Sequence, residues 1–341
     1  MILTFSFVEV KLKKQPFSFY IYFIILTLCL ISSATSEYGG YYFLWVIKTI
    51  FSYFVIQISF DLVNKNISST GFIRNLSLFS LIFLSVFVFG TFLSSGDRGA
   101  FVFGPNILYR VFAVLAVFSS LNYLFINNKV KGVGYLFFIL SIMILGIFFT
   151  GSRGGIPVLL VVIICFIHMY LRTVRAAYLI VLIGVMTILP LMLLAFFGDK
   201  FSFSGRFANF DYEGNQSLAL RLNPWFDFYN NFYDWVLTSG RTYPEFMAKF
   251  GGELFPYPHN LFLELIFFNG FFGFILTLLL VFTYLTTFVR IVSQPFGLKT
   301  VLFYLGTIIF IGCMFSGNLQ DNFVLISIFM SFSMVRNEQY K

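Results

Sequence analysis

Charged residues are scarce in this sequence. Only 11% of its 341 residues are Asp, Glu, Lys or Arg, against about 25% in an ordinary soluble protein. Hydrophobic residues make up 59% of the chain, and the mean hydropathy is +0.90. This balance excludes a soluble globular protein. It predicts an all-α integral membrane protein, whose 52 Phe suit helices that face lipid.

Cysteine and histidine are also scarce. The three cysteines, Cys29, Cys165 and Cys313, all fall inside apolar runs and form no CxxC pattern, so neither a disulfide framework nor a cysteine metal site is expected. Two histidines, His168 and His259, are too few for a histidine-rich metal site. A metal site built from cysteine or histidine is therefore excluded, and we expect no cofactor.

Clustered positive charge is lacking, although the net charge is +8. The basic residues stand singly or in small groups between apolar runs, which excludes a nucleic-acid-binding surface. Their positions are better explained by membrane topology, because cytoplasmic loops are enriched in Lys and Arg. An internal repeat is lacking as well, which disfavours a transporter built from inverted halves.

Ten apolar runs predict about ten transmembrane helices with both termini in the cytoplasm, since alternate short connections carry Lys or Arg. The first run could instead be a cleaved signal peptide, although a multi-pass protein needs none. The predicted helices are residues 16–33, 41–63, 72–94, 107–126, 133–150, 156–171, 176–197, 260–289, 300–315 and 323–335.

The run at residues 260–289 is too long for a simple crossing. As one helix it would extend about 45 Å at about 1.5 Å per residue, whereas the hydrocarbon core is about 30 Å thick. Asn269, Gly270 and Gly273 predict a bend within it. We expect its first turns to lie at the membrane interface or to project above it.

One long polar segment, residues 198–258, interrupts the apolar pattern. It holds seven of the 14 acidic residues and five of the 22 basic ones. The predicted organisation is therefore helices 1 to 7 in residues 1–197, a large periplasmic loop in residues 198–258, and helices 8 to 10 in residues 259–341. Groups for catalysis are concentrated in this loop and in the short connections on the same side.

His259 is a candidate catalytic base at the end of this loop. A neutral imidazole with a pKa near 6.5 can accept the proton of a sugar hydroxyl. Asn260 and Glu264 are four residues apart and share a helical face, from which they could orient the imidazole or the acceptor. The alternative is an interfacial histidine at a helix start, with Asn260 as a plain N-cap.

Arg153 lies in a glycine-rich turn, residues 151–155 (GSRGG), where a guanidinium can bind a phosphate in bidentate fashion. A snorkelling arginine at the interface is the alternative. Arg221 lies in a partly apolar stretch, residues 217–225, that we expect to pack on the membrane surface. Arg206 and Arg241 are rival candidates in the same loop, and the residues alone do not rank the three.

Arg98 and Arg110 flank a turn at residues 104–106 (GPN) and add two cations on the outer side. A surplus of outward arginines suits an anionic, lipid-linked ligand, although each could be a solvated or headgroup-bound charge. The acidic pair Asp211 and Glu213 has the spacing of a divalent-metal pair, with a solvated pair as the plainer alternative. Glu264 is a candidate because acidic groups near membrane depth are usually functional.

Taken in order, the GPN turn, the GSRGG turn, the loop with Arg221 and Trp225, residues 258–261 (PHNL) and residues 269–273 (NGFFG) resemble the O-antigen ligase and polymerase superfamily. The resemblance covers roughly residues 104–289. It implies a multi-pass, C-type glycosyltransferase in the bacterial inner membrane. Such an enzyme transfers a glycan from undecaprenyl diphosphate to a sugar hydroxyl at the periplasmic face, without a nucleotide sugar or a required metal.

The resemblance implies that Arg153 and Arg221 hold the diphosphate and that His259 activates the acceptor. We add Glu264 as a second catalytic residue beside His259. We assign Asn260, Arg206, Arg241 and Arg98 to substrate binding. The expected partners are the undecaprenyl-diphosphate-linked oligosaccharide and membrane lipids, with a chain-length regulator as an open candidate. The chain is shorter than many family members, which leaves the assignment of Arg221 less direct than those of Arg153 and His259.

The favoured function is polymerisation of O-antigen repeat units, because a compact, Phe-rich, weakly charged chain is typical of such polymerases; this is an argument by analogy. The alternatives are an O-antigen ligase that transfers the glycan to the lipid A core, a flippase for the lipid-linked oligosaccharide, and a structural scaffold. A flippase would require ionisable residues deep in several helices and internal symmetry. A scaffold would leave His259 and Arg153 dispensable.

Overall fold

A computed structural model describes most of the apolar chain and part of the polar loop. The described residues are 17–33, 39–66, 70–94, 103–126, 128–152, 154–171, 216–238, 240–250, 258, 260–292, 294, 296–315 and 322–336. Within these ranges the regular structure is helical, with no β-strand, which confirms the predicted all-α class.

Six helices precede the polar loop. They are α1 (Phe17–Ser33), α2 (Gly39–Asn66), α3 (Thr70–Leu93), α4 (Pro105–Ser120), α5 (Lys129–Thr150) and α6 (Gly155–Leu171), and a 3₁₀ turn, Leu121–Phe125, extends α4. The described part of the loop forms α7 (Gln216–Asn230), α8 (Phe232–Val236) and α9 (Tyr243–Phe250). Three further helices follow: α10 (Leu261–Val292), α11 (Leu298–Phe315) and α12 (Phe323–Arg336).

Four of these helices, α3, α4 with its 3₁₀ turn, α5 and α10, are long and apolar enough to cross a membrane. The apolar parts of α1, α2, α6, α11 and α12 are shorter. The predicted helix at residues 176–197 lies outside the described residues. Each of the other nine predicted helices overlaps one of the helices α1 to α6 or α10 to α12. A helical membrane protein is therefore supported, and the count of ten crossings stays a prediction.

Helices α4 and α11 lie at the centre of the bundle. Helix α4 packs against α3, α5, α6 and α11, and α11 also packs against α6, α10 and α12. The outer faces of the surrounding helices expose large apolar side chains, among them Phe51 at 69%, Phe79 at 59% and Phe137 at 64% exposure. Surfaces of this kind suit contact with lipid acyl chains.

Polar contacts at one end of the bundle agree with the predicted alternation of helix directions. At the start of α5, the Tyr135 hydroxyl donates to the Ser119 carbonyl near the end of α4 (2.8 Å). Near the end of α6, the ring nitrogens of buried His168 bond the Tyr304 hydroxyl (3.0 Å) and the Gln294 carbonyl (3.1 Å) at the start of α11. His168 therefore has a packing role between α6 and α11.

The bend predicted in the long run is confirmed at Gly270, where φ is 52° and ψ is −127° within α10. The rings of Phe262 and Tyr284 both lie against Phe310, with centroid distances of 5.6 and 5.0 Å. The ring centroids of Phe262 and Tyr284 are thus within about 11 Å of each other. In an unbroken helix the two residues would be about 33 Å apart along the axis.

The first segment of α10 therefore folds back onto the bundle and does not project into water. The physical reason is apolar burial, since Leu261, Leu263 and Leu265 are fully buried and Phe267 and Phe268 are almost so. Projecting this segment into water would expose all of these side chains, at about 1.5–3 kcal/mol each. The expectation that it lies at the membrane interface stays a prediction.

Candidate functional site

The glycine-rich turn after α5 lies beside the GPN turn before α4. Helix α5 ends at Gly151, whose φ of 58° is a left-handed cap that favours glycine. The hydroxyl of Ser152 then donates to the Asn106 side-chain oxygen in the first turn of α4 (2.9 Å). Two of the motifs that carry the resemblance are thereby held together by one hydrogen bond.

Arg110 joins the same end of the bundle to two further helices. Its guanidinium donates to the Asn322 side-chain oxygen at the start of α12 (2.9 Å) and to the Gly312 carbonyl near the end of α11 (2.8 Å). A side chain at position 312 would overlap the stem of Arg110. Arg110, predicted only as an outer-side cation, is therefore a tie between three helices.

Asn260 brings the start of α10 to this end. Its side-chain oxygen accepts from the amides of Phe262 (3.0 Å) and Leu263 (3.2 Å), and its amide donates to the Met314 carbonyl at the end of α11 (3.3 Å). Asn260 is thus an N-cap, as one of the two interpretations held. A direct substrate contact by Asn260 stays a prediction.

Glu264 is fully buried one turn after Asn260, and its amide donates to the Asn260 carbonyl (3.0 Å). The helix start and this carboxyl group are therefore fixed relative to each other. The starts of α4, α6, α10 and α12 and the ends of α5 and α11 thus meet at one end of the bundle, which we call the site end. It is the end predicted to face the periplasm.

Several predicted site residues lie outside the described residues: Arg98, Arg153, Arg206 and His259, together with Asp211 and Glu213. Arg221 lies on α7, and its side chain is not described. The neighbours Ser152, Gly154, Pro258 and Asn260 are described, and all four are buried. The roles of the arginines and of His259 stay predictions. Among the described side chains, no group of three or more His, Cys, Asp or Glu could hold a metal ion.

The described part of the polar loop is helical and docks on α10. Helix α9 begins with the carboxylate half of a capping box, because the Glu245 carboxylate accepts from both the amide and the hydroxyl of Thr242. Trp235 is 1% and Phe246 2% exposed, and their rings lie 5.0 and 5.2 Å from that of Phe267 on α10. The loop therefore adds its own small aromatic core to the bundle.

Asp227 ties the three loop helices together. Its carboxylate accepts from the Trp235 indole and the Asn231 amide, both at 2.7 Å, and pairs with Lys249 on α9 at 2.6 Å. Burial raises the pKa of Asp227. The hydrogen bonds from Lys249, Trp235 and Asn231 and the charge of Lys249 outweigh burial, so the pKa lies below its usual value.

The loop and α10 approach each other backbone to backbone at two glycines. The Arg241 amide donates to the Phe267 carbonyl (3.0 Å), which lies just before the bend. Gly240 has a φ of 99°, and a side chain there would overlap the Phe268 carbonyl oxygen. A side chain at Gly270 would overlap the Thr238 carbonyl oxygen. The close approach of the loop to the bend in α10 therefore requires glycine at both positions.

The bonds of Asp227, the approach of Gly240 to Gly270 and the bonds of Arg110 were not predicted from the sequence. The spacing from Asp227 to Asn231 is a helical signal that could have suggested their bond. The pairing of Gly240 with Gly270 and that of Arg110 with Gly312 had no such signal, because each joins residues far apart in the chain.

Arg241, a predicted substrate-binding residue, borders an open cleft of about 420 Å³ lined by Arg241, Glu245, Ala248 and Lys249. One guanidinium nitrogen donates to the Asp234 carbonyl (3.0 Å), and the group lies 5.3 Å above the Phe267 ring. Because Lys249 pairs with Asp227 (2.6 Å), Arg241 is the lining cation that suits an anionic group. The contact of Arg241 with the aromatic ring fixes its direction.

The order of these elements can be compared with known proteins. Residues 136–278 match the family model of O-antigen ligases. The match runs from α5 through the GSRGG turn and the loop to the middle of α10. It confirms the resemblance to the O-antigen ligase and polymerase superfamily, and it supports a glycosyltransferase-like membrane enzyme. Searches of curated proteins and of solved structures found no match.

Proposed function

We propose that this protein polymerises O-antigen repeat units at the periplasmic face of the bacterial inner membrane. The donor is a growing glycan on undecaprenyl diphosphate. The acceptor is a sugar hydroxyl of another lipid-linked repeat. The observation that carries the proposal is the O-antigen ligase family match at residues 136–278, since it spans the GSRGG turn before the loop and the PHNL and NGFFG motifs after it.

The meeting of helix ends at the site end supports this proposal. The Ser152–Asn106, Arg110–Gly312 and Asn260–Met314 hydrogen bonds join elements that carry the GSRGG, GPN and PHNL motifs. A transferase needs its nucleophile activator and its leaving-group cations within one small volume. The buried neighbours of Arg153 and His259 belong to this same end.

In the proposed reaction, the imidazole of His259 takes the proton of the acceptor hydroxyl as its oxygen attacks the anomeric carbon of the donor sugar. The bond from that carbon to the diphosphate oxygen breaks, and the electron pair leaves with the diphosphate. Arg153 and Arg221 stabilise the charge that develops there. The cap at Asn260 fixes the helix start next to His259, with Glu264 one turn away.

A ligase is the second candidate, because the matched model carries that description. A ligase would use the same donor and the same leaving group, and only the acceptor would be the lipid A core. The choice of acceptor therefore requires an experiment in cells.

The test is a strain that lacks the gene, complemented with wild type, Arg153→Ala or His259→Ala, with surface polysaccharide separated by size. We expect deletion to leave core bearing a single repeat, wild type to restore a ladder, and neither variant to do so at normal expression. Lys131→Ala changes an exposed basic residue at the start of α5 and serves as the matched control, with a full ladder expected.

Two other results would overturn parts of the proposal. Deletion that removes every repeat from the core while long lipid-linked polymer accumulates would identify a ligase. A full ladder from both variants would show that Arg153 and His259 do not carry the reaction.

A further inference from the structure

The loop helices α7 and α8 expose large apolar side chains, although neither of the two is long enough to cross a membrane. The exposed fractions are 56% for Phe226, 83% for Tyr229, 74% for Tyr233 and 71% for Leu237. Phe226 and Tyr229 are three residues apart on α7, and Tyr233 and Leu237 are four apart on α8 and the residue after it, so each pair has the spacing of one helical face. Asn231, with a φ of −122° and a ψ of 40°, separates the two helices. We call these four residues the aromatic face of α7 and α8.

Other side chains of α7 and α8 pack into the protein, while the polar Asn230, Asn231 and Asp234 are exposed beside the aromatic face. Pro224 is buried, the Phe228 ring lies 5.5 Å from that of Trp235, and Trp235 packs on Phe267 of α10 at 5.0 Å. Because the loop already has a buried core, the aromatic face is a second apolar surface. Large apolar side chains exposed close together in the chain are typical of an interaction site.

The position of α10 gives the depth of this surface in the membrane. Residues 271–292, after the bend, extend about 33 Å as a helix, which matches a hydrocarbon core of about 30 Å. The bend at Gly270 therefore lies at the level of one membrane surface. Helix α8 packs at this level, because the Phe232 ring lies 5.5 Å from that of Phe274.

The lipid-facing stripe of α10 begins at the same level. Its exposed members follow helical spacing and are Phe271 at 47%, Leu278 at 52%, Phe282 at 62%, Leu285 at 53% and Val289 at 64% exposure. Phe232, which is 37% exposed and touches Phe274, connects α8 to this helix. Tyr and Trp rings with Phe and Leu beside them are typical of the headgroup region of a bilayer.

We propose that the aromatic face of α7 and α8 inserts into the bilayer interface beside α10. Its ligand is the lipid bilayer itself, at the boundary of headgroups and acyl chains. An interfacial helix buries its apolar face about 5–10 Å into this boundary, which is deep enough to cover Tyr229 and Tyr233. The loop is thereby held by the membrane on one face and by α10 on the other. This inference does not depend on the proposed reaction.

The test uses the full chain in phospholipid nanodiscs with a nitroxide label at Tyr229→Cys or Tyr233→Cys. The native Cys29, Cys165 and Cys313 are buried, and the parent protein gives the background signal. Ala248→Cys is the matched control, because Ala248 is exposed and borders the open cleft of α9. Collision rates of the label with oxygen and with a water-soluble nickel complex report lipid and water exposure.

We expect the ratio of oxygen to nickel collisions to be several-fold higher at positions 229 and 233 than at position 248. A ratio equal to that of the control would overturn the proposal by placing the face in water. Labels reached by neither reagent would overturn it in favour of a covering protein or second copy. Collisions with nickel that fall when soluble repeat-unit oligosaccharide is added would overturn it in favour of a sugar-binding platform.

Discussion

Asn260 illustrates how a residue beside a predicted base can act through the backbone. Both ends of its amide group are bonded, the oxygen to two helix amides and the nitrogen to the Met314 carbonyl. With 6% exposure it has little surface for a substrate. We therefore expect Asn260 to position the start of α10.

Replacing Asn260 with alanine removes the cap and the tie to α11. We expect a loss of stability of about 1–2 kcal/mol, measured as a lower thermal midpoint of the purified protein, together with lower transferase activity. Asn230→Ala, at an exposed position in α7, is the control and should change neither. Lost activity at an unchanged midpoint would contradict this and favour direct substrate contact.

The bonds of the Asp227 carboxylate predict that docking of the loop on α10 depends on pH. Its folded pKa is below the usual value of about 3.9, so its bonds stabilise the folded loop above that pH. The stabilisation disappears as the pH falls through the lower, folded pKa. Asp227→Asn should weaken docking at neutral pH by about 1–3 kcal/mol and remove this acid dependence.

Tryptophan emission during acid titration measures this loss of docking, since buried Trp235 donates its indole N–H to Asp227 (2.7 Å). The exposed Asp234→Asn on α8 is the control and should titrate like wild type. An Asp227→Asn protein with the acid transition of wild type would show that other groups hold the loop.

At the scale of elements, α10 and the loop form one structural unit. The bend at Gly270, the fold-back of the first segment and the backbone contact with Gly240 occur together. The start of α10, which follows His259 in the chain, is therefore held between α11 and the loop. A change in loop docking should therefore shift the start of α10 and, with it, the position of Asn260 at the site end.

Gly270→Ala places a side chain at a φ of 52° and against the Thr238 carbonyl oxygen. We expect the loop to undock, so that trypsin cleaves faster at Arg241 or Lys249 and activity falls. Gly134→Ala in α5 meets no atom within 4 Å and should leave both unchanged or raise helix stability by about 0.5–1 kcal/mol. Wild-type protection of the Gly270→Ala loop would refute the coupling.

At the scale of the whole molecule, the helix ends separate into two groups. The Ser152, Arg110 and Asn260 bonds lie at the site end, and the Tyr135 and His168 bonds lie at the other. The alternation of Lys and Arg between short connections predicts that the site end faces the periplasm.

Membrane-impermeant maleimide can test this orientation in intact cells with a permeable outer membrane. We expect labelling of Ala248→Cys without lysis and of Lys131→Cys only after lysis, because these exposed positions lie on α9 of the loop and at the start of α5. The parent, whose cysteines are buried, should stay unlabelled. Labelling of both variants from the outside would contradict the predicted topology.

The sequence by itself determined the class of the protein, the family resemblance and the positions of the apolar helices that the structure describes. Apolar runs define helices because backbone groups in lipid must be satisfied within the helix. The length of one run and its glycines also predicted the bend at Gly270, since no straight helix of that length fits the membrane. These features depend on local composition and on distances along the chain.

Only the tertiary structure decided which residues meet. The fold-back of α10, the Gly240–Gly270 contact and the bonds of Arg110 depend on packing between segments that lie far apart in the chain, in one case about 200 residues. The described part of the polar loop became three helices because Trp235 and Phe246 could be buried on Phe267. Burial against a segment far away in the chain produces no periodic pattern in the sequence. The sequence therefore does not predict these contacts.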